Sequence, residues 1–443
     1  MARARRREAR QRRREPAAAP GRNAAGVERL AFWLVAALLL VVPFVFVPSA
    51  RDPFRLPKLL WSEGLALASL LPLAWRRRTA GGEPHVWRLP ALVAAAPLVA
   101  LALAGLVTTP HPLHVRRALP SLLIGAAALV GWSAGLAPAR LRRLLALVVL
   151  PGSALALLAA AQLHGLYRPF ALEQGLEAER MGFAALAGNP GDLGAYLAAA
   201  ALIAQVGLRQ ARGAARAAWG AGLAVCLYGL LATQTLTAIA ALAAASLVLW
   251  ALLLPPRRAA AGLVLGVLAL GAATALVPPL RSRLAGKAAD VARGDWNALL
   301  TFRLDAWRAA TWMVRRRPLA GVGLGAYAAE FGPAKLALQD EGVEFPAETY
   351  HAAFDHAHND VLEVAAELGV PGFLALLWGG SVVARRAWRR GRDPAGRDER
   401  AWTAAGLALL AVLALAGFPF RVALVAYPAL VFLAWVLRPE PPA

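Results

Sequence analysis

The chain has 443 residues, of which 59% are hydrophobic and only 17% charged; its mean hydropathy is +0.53 and its formal net charge +22. A soluble fold of this length has too little interior to hide so much apolar surface, so the soluble classes are excluded and a membrane protein is expected. The single cysteine, Cys226, lies inside an apolar run, which excludes an intramolecular disulfide.

Residues 1–29 form a basic tail that opens with "MARARRREARQRRRE". Such a run can suggest nucleic acid, but beside an apolar segment it reads as a topology signal that also touches anionic lipid, with no nucleic-acid partner. The first apolar run, near 30–47, is of full membrane length. It ends in "VVPFVFVPSARDPF" without a small-residue cleavage site, so it is expected to stay as a span. Further runs of spanning length follow near 58–75, 89–107, 119–136, 144–163, 192–207, 217–234, 236–254, 259–277, 361–384, 401–417 and 421–437. Only "TQTLT" (233–237) separates the seventh from the eighth. In lipid the backbone must satisfy its own hydrogen bonds, so these runs are read as α-helices. The predicted fold is an all-α polytopic membrane protein of about twelve spans. A single membrane domain, 30–437, carries one large insertion, 278–357, and a short tail, 438–443. No repeat of 20–50 residues is visible.

Placing the amino terminus inside and alternating sides puts "WRRRTAGGEPHVWR", "APARLRR", "LRQARGAAR", "PPRR" and "ARRAWRRGRDPAGRDER" on the cytoplasmic side with both tails. That side then carries the whole net charge of +22 and the other side nets to zero, as the positive-inside rule expects. Both termini are therefore expected in the cytoplasm and the insertion outside.

Six of the seven histidines face outward in this arrangement: His111, His114, His164, His351, His356 and His358. So do basic residues that the charge rule leaves unexplained: Arg51, Arg55, Lys58, Arg116, Arg117, Arg168, Arg180 and Arg303. Such cations would suit an anionic ligand if they converge, because guanidinium pairs with phosphate in bidentate fashion. Within the insertion, "LLTFRLDAWRAATWMVRRRP" (299–318) is predicted to be an amphipathic helix with Leu300, Leu304, Trp307, Ala310 and Thr311 on one stripe and Pro318 ending it. "LAGVGLGAY" follows, whose Gly321, Gly323 and Gly325 permit close backbone approach or positive φ. No βαβ unit surrounds it, so a dinucleotide loop is not implied.

"YHAAFDHAHNDVLEVAAELGVPGF" (350–373) crowds histidines and acids against the tenth apolar run. "HAHND" has the H-x-H-x-D form of some two-metal hydrolases, but no histidine follows His358 to complete such a site; His356 and His358 could still hold one metal with Asp355 or Asp360. The simpler reading makes Asn359 or Asp360 the cap of a helix, with a capping box from Asp360 to Glu363. Glu363 and Glu367 then carry a polar stripe into the apolar zone, where ionisable groups usually face a cavity or a partner, as does Glu63 in the second run. His358, at a helix N-terminus, is expected to stay near neutral and to accept a proton from a hydroxyl. A histidine that merely satisfies a loop hydrogen bond is the plainer alternative.

"HAHNDVLEVAAELGVPGF" resembles the H-N-x-x-L…E-x-G-x-x-G signature of the O-antigen ligase family, which also includes O-antigen polymerases. "DPFRLPKLLW" (52–61), "GNPGDLGAYLA" (188–198) and "RLDAWRAATWMVRRRPLAGVGLGAY" (303–327) are similar to further family stretches in the right order. The chain departs at the seventh–eighth turn, where the family often has Thr-x-Ser-Arg and this sequence has Thr233, Gln234, Thr235 and Leu236. The resemblance implies a GT-C-like glycan transferase at the outer face of the bacterial inner membrane. It would move a glycan from undecaprenyl diphosphate to a sugar hydroxyl on lipid A core, a growing polysaccharide or another acceptor, without a metal or other cofactor. It also implies catalytic roles for His358 and Arg303, with Asn359, Asp360, His356, Arg55, Lys58, Arg116 and Arg180 as substrate-binding candidates. The alternatives are a transporter of an anionic or lipid-linked solute and a non-catalytic membrane scaffold.

Overall fold

The computed structural model describes residues 22–50, 52–79, 89–167, 183–346, 353–390 and 396–439. Arg51, Arg168, Arg180 and His351 lie outside the described residues. Among those described, the chain is helical and no strand occurs. The helices are α1 (Arg22–Val41), α2 (Arg55–Thr79), α3 (Pro90–Thr108), α4 (Pro112–Gly135), α5 (Pro138–Leu147), α6 (Val149–Leu163), α7 (Pro190–Gln210), α8 (Gly213–Ala232), α9 (Leu236–Leu253) and α10 (Pro256–Leu276). The insertion supplies α11 (Pro278–Ala292), α12 (Trp296–Leu299), α13 (Arg303–Arg316) and α14 (Tyr327–Asp340). The chain closes with α15 (Asp360–Arg390), α16 (Arg397–Leu415) and α17 (Ala423–Leu437).

Each predicted apolar run overlaps a helix, but the 144–163 run is divided between α5 and α6 and the 30–47 run leaves helix after Phe44. Among the described residues, eight helical stretches are long and apolar enough to cross a membrane: Gly26–Phe44, Pro90–Thr108, Pro112–Gly135, Pro138–Leu163, Pro190–Gln210, Gly213–Ala232, Leu236–Leu253 and Asp360–Arg390. The thinly marked "TQTLT" break is a true turn, held by Thr235 Oγ1 donating to the Pro190 carbonyl at 2.9 Å. Gln234 takes a left-handed backbone there, which an unbroken helix excludes.

Contacts between connections sort the helix ends into two sets. At one end, Lys58 joins the α1–α2 connection to Leu186 just before α7. Thr235 joins the α8–α9 turn to the start of α7, and His111 joins the α3–α4 turn to α14. At the other end, Glu28 of α1 meets Arg76 of α2 and Arg140 of α5. Arg209 of α7 meets Asp398 of α16 there, and Arg438 meets Glu399. The insertion folds against the first set, because α13 packs on both α14 and α15.

The predicted stripe of the 299–318 helix is corrected. Thr301 and Phe302 have φ of 57° and 60°, so the helix starts only at Arg303 and Leu300 lies outside it. Its buried side is Asp305, Ala306, Ala309, Ala310 and Met313, whereas Thr311 is exposed. A face of small alanines lets α13 approach α15 closely, which the larger Leu and Trp positions would prevent.

The glycine loop explains how α15 is held. Pro371 has no N–H for the Glu367 carbonyl four residues earlier, and Gly369 at φ 70° interrupts the helix. The freed carbonyls are taken by the loop: Val322 N donates to Ala366 O and Gly323 N to Glu367 O, each at 2.9 Å. Val370 N in turn donates to Pro318 O at 2.7 Å. A Cβ on Gly321 would sit 2.4 Å from the Glu367 carbonyl, so only glycine fits this approach.

Candidate active site

Asn359 caps α15: its Oδ1 accepts from the amides of Val361 at 3.0 Å and Leu362 at 3.1 Å. The predicted capping box from Asp360 does not form. Glu363 instead reaches past the helix start, with Oε1 on His356 Nδ1 at 2.8 Å and Oε2 accepting from the Ala357 amide at 2.9 Å. Asp360 is buried and accepts from the Phe420 amide at 3.4 Å.

The polar stripe has a partner that sequence reading missed. Arg421, on the turn between α16 and α17, pairs with Glu367 and lies 3.5 Å from Glu363 Oε1. Both glutamates are only 1% exposed, so the guanidinium is what makes their burial tolerable. Arg421→Ala would leave two buried carboxylates without it. We expect a loss of about 3–5 kcal/mol of stability, the usual cost of breaking a buried pair. Thermal unfolding of the purified protein in detergent reads this directly; an unchanged midpoint contradicts it.

Phe418, on the same turn, gathers the remaining groups. The His356 ring lies over it at 4.4 Å between centroids and the His358 ring at 4.9 Å. The Arg55 guanidinium stands 5.4 Å from its centroid. His358 is wedged between Phe418 and Phe354, and its φ of 51° places a non-glycine residue in the left-handed region. Backbone of this kind is retained where the surroundings enforce it, commonly at functional sites.

Burial, then the charges of Arg303 and His356, lower the His358 pKa to about 4, with Glu363 opposing. The imidazole is therefore neutral at physiological pH, as the sequence predicted, though for a different leading cause. A titration of labelled histidines by NMR should place the His358 midpoint near 4; a midpoint at the ordinary value near 6.5 would contradict this environment. Arg303, first residue of α13, has no carboxylate partner among the described residues. Burial and the neighbouring Arg283 lower its pKa, so an anion at this point would relieve it.

The other candidate cations have different placements. Arg55 forms a two-pronged pair with Asp192 of α7, Nε–Oδ2 at 2.8 Å and Nη2–Oδ1 at 3.2 Å. It stands in the cluster but already holds a carboxylate. Lys58 is 2% exposed, and its ammonium donates to the carbonyls of Val45, Phe54 and Leu186. It ties the first connection to the segment before α7. Arg116 is exposed on α4, with no bond to the cluster among the described residues. Arg180 lies outside them.

His356, His358, Asn359, Asp360, Arg303 and Arg55 are thus brought to one end of the bundle. Asp192, Phe418 and Arg421 complete the group. Among the described residues no set of three or more His, Cys, Asp or Glu side chains is arranged to hold a metal ion. The arrangement offers a neutral imidazole, a second imidazole bound to a carboxylate, and a guanidinium without a carboxylate partner among the described residues, at the starts of two helices. That combination suits transfer of a group from an anionic leaving group to a hydroxyl.

Residues 221–377 match the family described as O-antigen ligase. The matched stretch runs from α8 into α15 and contains Arg303, the glycine loop, His356, His358, Asn359, Glu363 and Glu367. Arg55, Asp192, Phe418 and Arg421 lie outside it. No curated protein matches the chain.

Proposed function

We propose, for a chain whose residues 221–377 belong to the O-antigen ligase family, that the cluster around His358 transfers a glycan from a polyprenyl diphosphate to a sugar hydroxyl. The family match and the all-helical membrane character support a membrane glycan ligase or polymerase. The observation that carries the finer reading is Arg303, without a carboxylate partner among the described residues, beside a neutral His358 at the start of an apolar helix.

A lipid diphosphate cannot leave the membrane surface, so groups that act on it must sit at headgroup depth on rigid supports. Arg303 receives the diphosphate, and its charge stabilises the leaving oxygen as the bond to the anomeric carbon breaks. His358 accepts the hydrogen bond of the acceptor hydroxyl and points its oxygen at that carbon. Asn359 keeps His358 at the helix start, and Arg55, held by Asp192, lends a second positive charge. Arg55 pairs with Asp192 in the first turn of α7, the same turn whose Pro190 carbonyl accepts from Thr235, beside Leu236, where the resembled family often has an arginine. Undecaprenyl diphosphate is the carrier we assign, with the site on the outer face of the inner membrane and both termini in the cytoplasm.

The test is turnover by the purified protein. A polyprenyl-diphosphate glycan and a saccharide acceptor should yield transferred glycan and free lipid diphosphate, with the rate unaffected by EDTA. Solute uptake into vesicles without glycan transfer would favour the transporter. Transfer abolished by EDTA and restored by Mg²⁺ or Mn²⁺ would overturn the cation role given to Arg303.

A further inference from the structure

Three consecutive arginines, Arg315, Arg316 and Arg317, close α13, and all three are exposed. The outward side nets to zero charge, so the positive-inside rule does not call for them there. Arg315 stands 3.7 Å from Glu341, but both side chains are more than half in solvent, and such a pair contributes little. Arg316 and Arg317 have no carboxylate partner among the described residues. A helix C-terminus favours a cation in its last turn, which does not account for a run that passes the last helical residue. Leu319, two residues further on, is 77% exposed, so the patch is apolar as well as basic.

Two backbone contacts fix where this corner sits. Val370 N of α15 donates to the Pro318 carbonyl at 2.7 Å, and a Cβ on Gly369 would lie 2.8 Å from the Leu319 carbonyl carbon. At that level the surroundings of α15 change. No residue from Asp360 to Gly369 is exposed, whereas Val370, Leu374, Leu377 and Trp378 all are. An apolar face without protein cover on a spanning helix is met by lipid tails. The arginines therefore stand at the outer edge of the bilayer, with Leu319 beside the first lipid-facing residue of α15.

We propose that Arg316, Arg317 and Leu319 form a docking surface for the outer leaflet, the guanidinium groups holding phosphates of anionic phospholipids and Leu319 resting among the tails. Guanidinium meets phosphate through parallel hydrogen bonds, and each arginine near an anionic surface raises lipid affinity about fivefold. The occupant is lipid because the basic edge runs directly into the lipid-facing side of α15. One helix joins this corner to the site: α13 runs from Arg303 to Arg316, so lipid held at its last turn restrains the helix that carries Arg303 at its first. The proposal rests on the membrane setting given above but on no part of the transfer chemistry, so its test needs no turnover.

The experiment is hydrogen–deuterium exchange of the full-length protein in nanodiscs of phosphatidylcholine alone and of phosphatidylcholine mixed with phosphatidylglycerol. The amides of Arg316, Arg317, Leu319 and Ala320 should exchange at least about fivefold more slowly when phosphatidylglycerol is present. Arg316→Gln combined with Arg317→Gln should abolish that difference, whereas Arg257→Gln combined with Arg258→Gln, at the start of α10, should leave it intact. Equal exchange in the two lipid mixtures would overturn the proposal, as would undiminished protection once Arg316 and Arg317 are replaced. Protection by inorganic diphosphate in phosphatidylcholine discs, with none from phosphatidylglycerol, would also overturn it and make the corner a site for the donor's headgroup. Both arginines are exposed, so the substituted protein should fold; if it does not, the wild-type comparison of the two lipid mixtures decides. A protein protected by phosphatidylglycerol yet inactive in glycan transfer would defeat the transferase reading and leave the docking surface standing.

Discussion

Replacing His358 with alanine is expected to lower glycan transfer by about two orders of magnitude or more, with expression, folding and donor binding retained. The imidazole sits at the capped start of α15, between Phe354 and Phe418, in a left-handed backbone conformation that fixes its direction. Removing it would delete the proposed hydrogen-bond acceptor for the attacking hydroxyl without disturbing Asn359, which makes the cap. His164 is the control. It is exposed at the end of α6 and bonded to the Tyr228 hydroxyl at 2.6 Å, so His164→Ala should leave the rate nearly unchanged. Initial rates of lipid-diphosphate release check both, and equal mild effects would leave His358 a local structural residue.

Arg303→Ala should have an effect of similar size through the other substrate. With no carboxylate beside it among the described residues, the guanidinium is the proposed partner of the anion, and its loss should cost about 10²–10³ in rate together with weaker donor binding. Arg303→Lys keeps the charge but not the planar fork, so a partial defect is expected. Because burial and the neighbouring Arg283 both disfavour the Arg303 charge, the alanine variant should fold as well as the wild type. Rate and donor affinity measured on the same preparations separate this from misfolding. An unchanged donor affinity would move the diphosphate to Arg55 or elsewhere.

Much of this was legible in the sequence, for identifiable reasons. Apolar runs give the helices because membrane burial imposes length and composition together. The glycine loop, the cap at Asn359 and the neutral His358 could be anticipated from local chemistry. Partners distant in sequence could not. Arg421 follows "AGFPF" at the head of an apolar run and looks like an ordinary boundary residue; only the fold sets it against Glu363 and Glu367. Asp192 carried no local signal, yet it is the carboxylate that occupies Arg55. Lys58 looked free for a ligand because no local pattern reveals three backbone carbonyls converging on one ammonium. The stripe on α13 was misplaced because positive φ at Thr301 and Phe302, which delays the helix start, has no signature in those residue types. Phe418 carried no sequence signal at all, although it is the surface on which Arg55, His356 and His358 meet.

The most direct test of the transferase site uses vesicles with the purified protein inserted in one orientation. A polyprenyl-diphosphate glycan and its acceptor are supplied on one face at a time, and free lipid diphosphate is counted against transferred glycan. The expected result is one lipid diphosphate released per glycan transferred, only from the face on which a cysteine placed at Gly342 reacts with an impermeant thiol reagent. Turnover from the opposite face, or none from either face by a folded protein, would contradict a transferase site built on His358 and Arg303.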